Sequence, residues 1–125
     1  LRSDSVLFSR HWCLPGGYVK GGQNWLKALS EELVEDVALT AVEPRFVGIY
    51  SDPKVNILHD AKTSQDIAFL VASFLVRNFT GDVKVSDASL EFGWFSPDAL
   101  PSPILPSEPI KIQDALDFSG QCFVR

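Results

Sequence analysis

The chain has 125 residues, enough for one domain and too few for two that each bury a self-sufficient core. Lys and Arg number 11 against 16 Asp and Glu, and this net charge of −5 argues against duplex nucleic acid as a partner, because a phosphate backbone demands clustered cations. The longest apolar run, Ile67 to Val76, is too short to span a bilayer as a helix, and the polar start Arg2-Ser3-Asp4-Ser5 is no signal peptide, so a cytoplasmic protein off the membrane is expected.

No Met occurs, and residues are expected to precede Leu1. Val6-Leu7-Phe8 reads as a strand, extended or edged by His11 to Leu14. Pro15-Gly16-Gly17 is a turn, Tyr18-Val19 a brief strand, and Lys20-Gly21-Gly22-Gln23 a second turn. Asn24 is placed to cap a helix from Trp25 to about Val37, with Leu26, Leu29, Leu33 and Val37 as its apolar stripe. Arg45 to Tyr50 reads as a strand closed by Ser51-Asp52-Pro53, and a polar loop carrying His59 and Asp60 runs on to Gln65. Asp66 to Phe79 is apolar on both parities, which predicts one long strand buried on both faces. Ser89 to Phe95 is another strand. The prolines from Pro97 to Pro109 mark a loop, and Lys111 to Phe118 a terminal helix. Strands and helices in this order predict an α+β domain with a mixed sheet, over residues 1 to 125 as a single unit. Cys13 and Cys122 have no metal-type spacing and are read as reduced thiols.

Glu31, Glu32, Glu35 and Asp36 fall within six residues of the first helix. Glu32, Glu35 and Asp36 stand at i, i+3 and i+4, so their carboxylates share one side. Like charges at that spacing repel by a few tenths of a kcal/mol per pair, roughly. A hard divalent ion would relieve the repulsion, since such ions take carboxylate oxygens together with substrate phosphates. A solvated acidic face is the alternative reading of the helix alone.

The glycine turn before the helix completes a longer pattern. Counted from Gly17 without a gap, Gln23 and then Glu31-Glu32-Leu33-Val34-Glu35-Asp36-Val37-Ala38-Leu39 fall on the positions of the Nudix box, which reads Gly, five residues, Glu, seven residues, Arg-Glu-apolar-any-Glu-Glu-any-Gly-apolar. Leu14-Pro15-Gly16-Gly17 resembles the lead-in of that family. Gly48-Ile49-Tyr50-Ser51-Asp52-Pro53 is similar to a segment of Nudix hydrolases acting on ADP-ribose-like compounds, and Trp94-Phe95-Ser96-Pro97-Asp98-Ala99-Leu100-Pro101 resembles the closing strand and loop. The resemblance implies a Nudix-type α/β/α sandwich with a mixed β-sheet. It implies hydrolysis of a nucleoside diphosphate linked to another group, with ADP-ribose or a nucleotide sugar favoured. Mg²⁺ or Mn²⁺ would be held by Glu32, Glu35 and Asp36, with Gly16 and Gly17 positioning ligand or metal through their backbone. Such an ion lowers the pKa of its water and neutralises charge on phosphoryl oxygens. A homodimer is a common state of the family.

The chain departs from the box at four points: Gln23 stands for Glu, Glu31 for Arg, Asp36 for the last Glu and Ala38 for Gly. The first two replace residues that help orient the catalytic carboxylates. Ala38 is expected to avoid the left-handed conformation that glycine accepts cheaply. Outside the box, Glu91 is the leading candidate for a catalytic base, with Asp87 behind it. Trp12 and Tyr50 are candidates to stack on a base. Two functions follow: a metal-dependent hydrolase of nucleoside diphosphate derivatives, or a Nudix-fold module that binds a nucleotide or a protein without turnover, which the changes at Gln23 and Glu31 favour.

Overall fold

The structure, a computed structural model, describes residues 2–4, 10–60, 63–87 and 89–125. In chain order its elements are β1 (Arg2–Asp4), β2 (Trp12–Cys13), α1 (Trp25–Val37), β3 (Thr40–Val42), β4 (Arg45–Tyr50), β5 (Ile57–Asp60), β6 (Gln65–Ala68), β7 (Val71–Leu75), β8 (Asn78–Thr80), β9 (Ser89–Phe92), α2 (Glu108–Asp117) and β10 (Phe123–Val124). The expected strand at Val6-Leu7-Phe8 lies outside the described residues. The elements form two compact units, Leu1–Pro44 with Val76–Ile104, and Arg45–Leu75 with Leu105–Arg125. No helix among the described residues is long and apolar enough to cross a membrane.

In the first unit, β1 lies between β2 and β9, antiparallel to both, and β3 pairs antiparallel with β8, Ala41 opposite Phe79. Trp12 donates its backbone N–H to the Pro103 carbonyl at 2.8 Å, which ties the 97–104 segment to β2. The helix α1 begins as its sequence dictates. Asn24 is extended, and its side-chain oxygen accepts the Lys27 N–H at 2.9 Å, satisfying one of the first-turn donors. The buried residues of α1 are Ala28, Asp36 and Val37, while Leu26 is 53% exposed and Val34 52%. The buried face is thus rotated from the expected Leu26–Leu29–Leu33–Val37 stripe, and it carries Asp36 inward. Cys13 and Leu39 join this core.

The helix ends differently from expectation. Ala38 takes the left-handed conformation, φ 59° and ψ 29°. Its amide donates to the Val34 carbonyl at 3.1 Å and the Leu39 amide to the Leu33 carbonyl at 3.3 Å, which satisfies two carbonyls that the helix end leaves open. Those bonds offset a conformational cost of about 1–2 kcal/mol for a residue with a β-carbon.

In the second unit β4 is central, parallel to β10 and antiparallel to β7, so the sheet is mixed as the element order predicted. Val47 is fully buried, Tyr50 is 2% exposed, and Phe46 packs on Phe74 across the β4–β7 pair at 5.5 Å between centroids. β5 and β6 form a separate antiparallel hairpin, with His59 opposite Asp66. The segment holding His59 and Asp60, expected as a loop, is therefore strand. The single long strand expected from Asp66 to Phe79 is three: β6 pairs with β5, β7 with β4 and β8 with β3. Each partner is only three to six residues long, so the run changes partner twice and breaks at each change. β6 is exposed along its length, not buried on both faces.

Helix α2 starts at Glu108, three residues before the expected Lys111. Pro109 is compatible because the first turn has no intrahelical acceptor for its missing N–H. On its buried side Glu108 and Lys111 pair at 2.8 Å. Asp114, 2% exposed, accepts from the Tyr50 hydroxyl at 2.9 Å and from Arg125 Nε and Nη2 at 2.8 and 2.9 Å. This knot joins β4, α2 and the residue that follows β10. Cys13 and Cys122 are both free thiols.

Candidate functional site

The box residues gather in the first unit, where the 14–23 segment lies along α1. Asp36 is 6% exposed, and its Oδ2 accepts the Gly16 N–H at 3.1 Å. Glu32, half-buried, reaches the backbone of Gly17 so closely that a β-carbon there would lie 2.2 Å from its carboxyl carbon. A real β-carbon never shows that distance, so a side chain here would have to displace the flexible end of Glu32. Glu35 is exposed on the neighbouring face. Gln23 accepts the Lys20 N–H at 2.9 Å through Oε1 and donates through Nε2 to Glu31 Oε2. Glu31 also stands 3.9 Å from Lys27, an exposed ion pair of little energetic weight.

Of the three expected metal ligands, then, Glu32 and Asp36 turn toward the glycine turn and Glu35 stays in solvent. Among the described residues no three His, Cys, Asp or Glu side chains converge closely enough to cage an ion. The donor chemistry nevertheless fits a hard divalent cation: three carboxylates on adjacent helix turns, and a glycine whose missing β-carbon leaves the space that the Glu32 carboxylate fills. The residues that would hold the ion are Glu32, Glu35 and Asp36, with substrate phosphates and water completing the set.

The remaining candidates separate. Glu91 is exposed on β9, and Asp87 is exposed in the preceding turn. Trp12 packs edge-on against Phe95, centroids 5.0 Å apart at 74°. Tyr50 belongs to the second unit, where burial and its bond to Asp114 leave no ring face for a ligand and push its hydroxyl pKa up. Packing, not stacking on a base, is what these two rings do in the structure.

A second aromatic pair has an open ring face. Phe79 on β8 stacks on Trp94, centroids 5.7 Å apart at 16°, and Trp94 remains 67% exposed. Trp94 lies in the segment resembling the family's closing strand, but it stands fifteen positions after Phe79 and no local pattern announces their pairing. The same stretch of chain approaches the box. Gly81 sits against the Ala38 carbonyl, Lys84 N–H donates to the Val37 carbonyl at 3.0 Å, and Ser86 N–H donates to the Asp36 carbonyl at 3.2 Å.

No protein-family profile matches the sequence, and no characterised protein matches it by sequence. Solved structures do match by shape. A crystal structure of a MutT Nudix hydrolase from Burkholderia pseudomallei superposes with a TM-score of 0.73 at 22% identity, covering 90% of this chain and 82% of that one. At that identity the likeness speaks for architecture, and it agrees with the two helices and the mixed sheet: the chain has the fold of the Nudix hydrolases.

Proposed function

We propose that the protein is a divalent-metal-dependent hydrolase of nucleoside diphosphates linked to another group, of the ADP-ribose or nucleotide-sugar type. The observation that supports this best is the closure of the Gly16-Gly17 turn onto α1, with the Gly16 N–H on Asp36 and the Gly17 backbone against the Glu32 carboxylate. When bound, Mg²⁺ or Mn²⁺ would neutralise the diphosphate and lower the pKa of the attacking water. The chain's own residues do the rest. Glu32, Glu35 and Asp36 offer the hard oxygens. Gly17, lacking a side chain, leaves room for the Glu32 carboxylate to lie against the turn. The open face of Trp94 takes the nucleobase by stacking. Glu91 is the candidate to accept a proton from water. The partner is a small nucleotide, the compartment the cytoplasm, and a homodimer the expected assembly.

The test is AMP or phosphate release from a panel of nucleoside diphosphate derivatives, with and without Mg²⁺, with Glu35→Gln and Glu32→Gln as controls. Metal-dependent release that both variants abolish is expected. No release from any member, or release indifferent to both variants, defeats the reading.

One observation favours a second reading, a nucleotide-binding module without turnover. Asp36 is buried and engaged by Gly16, and among the described residues no third acidic group converges with it and Glu32. Calorimetry separates the two: binding independent of Mg²⁺, with no product, selects the module.

A further inference from the structure

In the first unit one segment is held to one helix at three places. Gly16 N–H donates to Asp36, the Gly17 backbone lies against the Glu32 carboxylate, and Gln23 reaches Glu31. The direction of the last contact is settled by chemistry. The Lys20 N–H can only donate, so it faces the Gln23 carbonyl oxygen; the Gln23 amide nitrogen is then turned to Glu31, whose carboxylate can only accept. The box pattern has an acceptor at position 23 and a cationic donor at position 31. Here donor and acceptor have changed places and the contact survives.

We propose that Gln23 and Glu31 are a positioning pair, a clasp of inverted polarity that holds the Gly16-Gly17 turn over Glu32 and Asp36. The segment between turn and clasp needs such a tie. It contains Gly21 and Gly22, with Gly22 at φ 81°, and Val19 and Lys20 are exposed. Such a stretch has little packing of its own to fix it. The clasp anchors it at both ends of one side chain: Gln23 Oε1 closes the local turn, and Gln23 Nε2 ties that turn to the helix. Lys27 is too exposed to replace it. The consequence for the carboxylates rests on the proposed function; the clasp itself does not.

The experiment is a double-mutant cycle with Gln23→Glu, Glu31→Arg and the double variant, which restores the polarity of the box pattern. Glu31→Gln, which keeps an acceptor, and Glu31→Ala, which does not, accompany it. Mn²⁺ affinity by calorimetry and thermal midpoint are both read. Gln23→Glu sets two carboxylates together, and Glu31→Ala leaves the amide without its acceptor. Each is expected to weaken Mn²⁺ binding about three- to tenfold, the size of one half-exposed charge-assisted hydrogen bond. The double variant and Glu31→Gln are expected within about twofold of the parent. Unchanged Mn²⁺ affinity in Gln23→Glu overturns the proposal, as does a double variant no better than its worse single. In a parent that binds Mn²⁺, additive thermal midpoints across the cycle also overturn it. If the parent protein binds no Mn²⁺, the hydrolase reading fails separately. The cycle is then read in thermal midpoint, where non-additivity upholds the clasp and additivity overturns it.

Discussion

Gly17 and Glu32 occupy the same space from opposite sides: a β-carbon on the first would fall 2.2 Å from the carboxyl carbon of the second and 2.4 Å or less from both its oxygens. The obstructing atoms are the far end of a flexible side chain, so the fold can yield where the site cannot. Gly17→Ala is therefore expected to cost about 1 kcal/mol of stability or less, while displacing the Glu32 carboxylate. A displacement of that order lowers turnover about a hundredfold. Equal urea midpoints with collapsed activity would show the two effects apart; a variant as active as the parent would separate Glu32 from the chemistry.

Ala38 offers the opposite case, a strained residue whose relief should stabilise. With φ at 59° its β-carbon crowds the following carbonyl. Ala38→Gly removes that crowding at a helix end where glycine is the favoured residue, and about 1 kcal/mol of added stability is expected at an unchanged urea slope. Ala38→Val should lose at least as much, because β-branching worsens the same contact.

Across from it, Gly81 is pinned twice. Its φ is 100°, and an added β-carbon would stand 2.7 Å from the Ala38 carbonyl oxygen, a backbone atom that cannot swing away. Gly81→Ala is expected to destabilise by about 2–3 kcal/mol, enough to lower the thermal midpoint visibly. A neutral result would mean that the β3–β8 pair shifts freely against the end of α1.

Asp114 predicts a pH dependence in the second unit. Hydrogen bonds from Arg125 hold its carboxyl below the ordinary value of 3.8, outweighing the burial that raises it, and the Tyr50 hydroxyl adds to the lowering. A depressed folded-state pKa contributes stability that is present above the unfolded value and is lost as pH falls through the folded one. The Arg125 side chain is 44% exposed, so solvent screens part of this contribution. The stability difference between parent and Asp114→Asn, measured by urea unfolding, should hold steady above about pH 5 and shrink at acid pH below 3.8. A difference that grows toward acid has the wrong sign for this account. Tyr50→Phe should cost about 1 kcal/mol at neutral pH, the worth of one hydrogen bond.

Trp94→Ala tests the stacking face. A base on an aromatic ring contributes about 1–3 kcal/mol, so KM for a nucleotide substrate should rise about tenfold or more with kcat little changed. Phe79→Leu, which removes the ring beneath but keeps an apolar support, should have a smaller effect of the same kind. Equal KM in Trp94→Ala and the parent would place the base elsewhere.

What was legible in the sequence is what local chemistry sets. Asn24 capping the helix, the bounds Trp25–Val37, the strand Arg45–Tyr50 and the glycine turn before the helix all follow from side-chain hydrogen bonding, periodicity and backbone freedom within a few residues. So does the grouping of Glu32, Glu35 and Asp36 on adjacent turns. Tertiary structure decided the rest. Which side of α1 is buried was set by what packs on it, and that drew Asp36 inward while leaving Leu26 and Glu35 outside. Residues 66 to 79 read as one strand because apolar pattern records burial but not the length of a partner, and three short partners broke it into three. Ala38 became left-handed because contacts with Leu33, Val34 and Gly81 offset the strain. Tyr50 is buried against Asp114, 64 positions away, and Trp94 stacks on Phe79. Such pairings depend on through-space distance, which no spacing along the chain encodes.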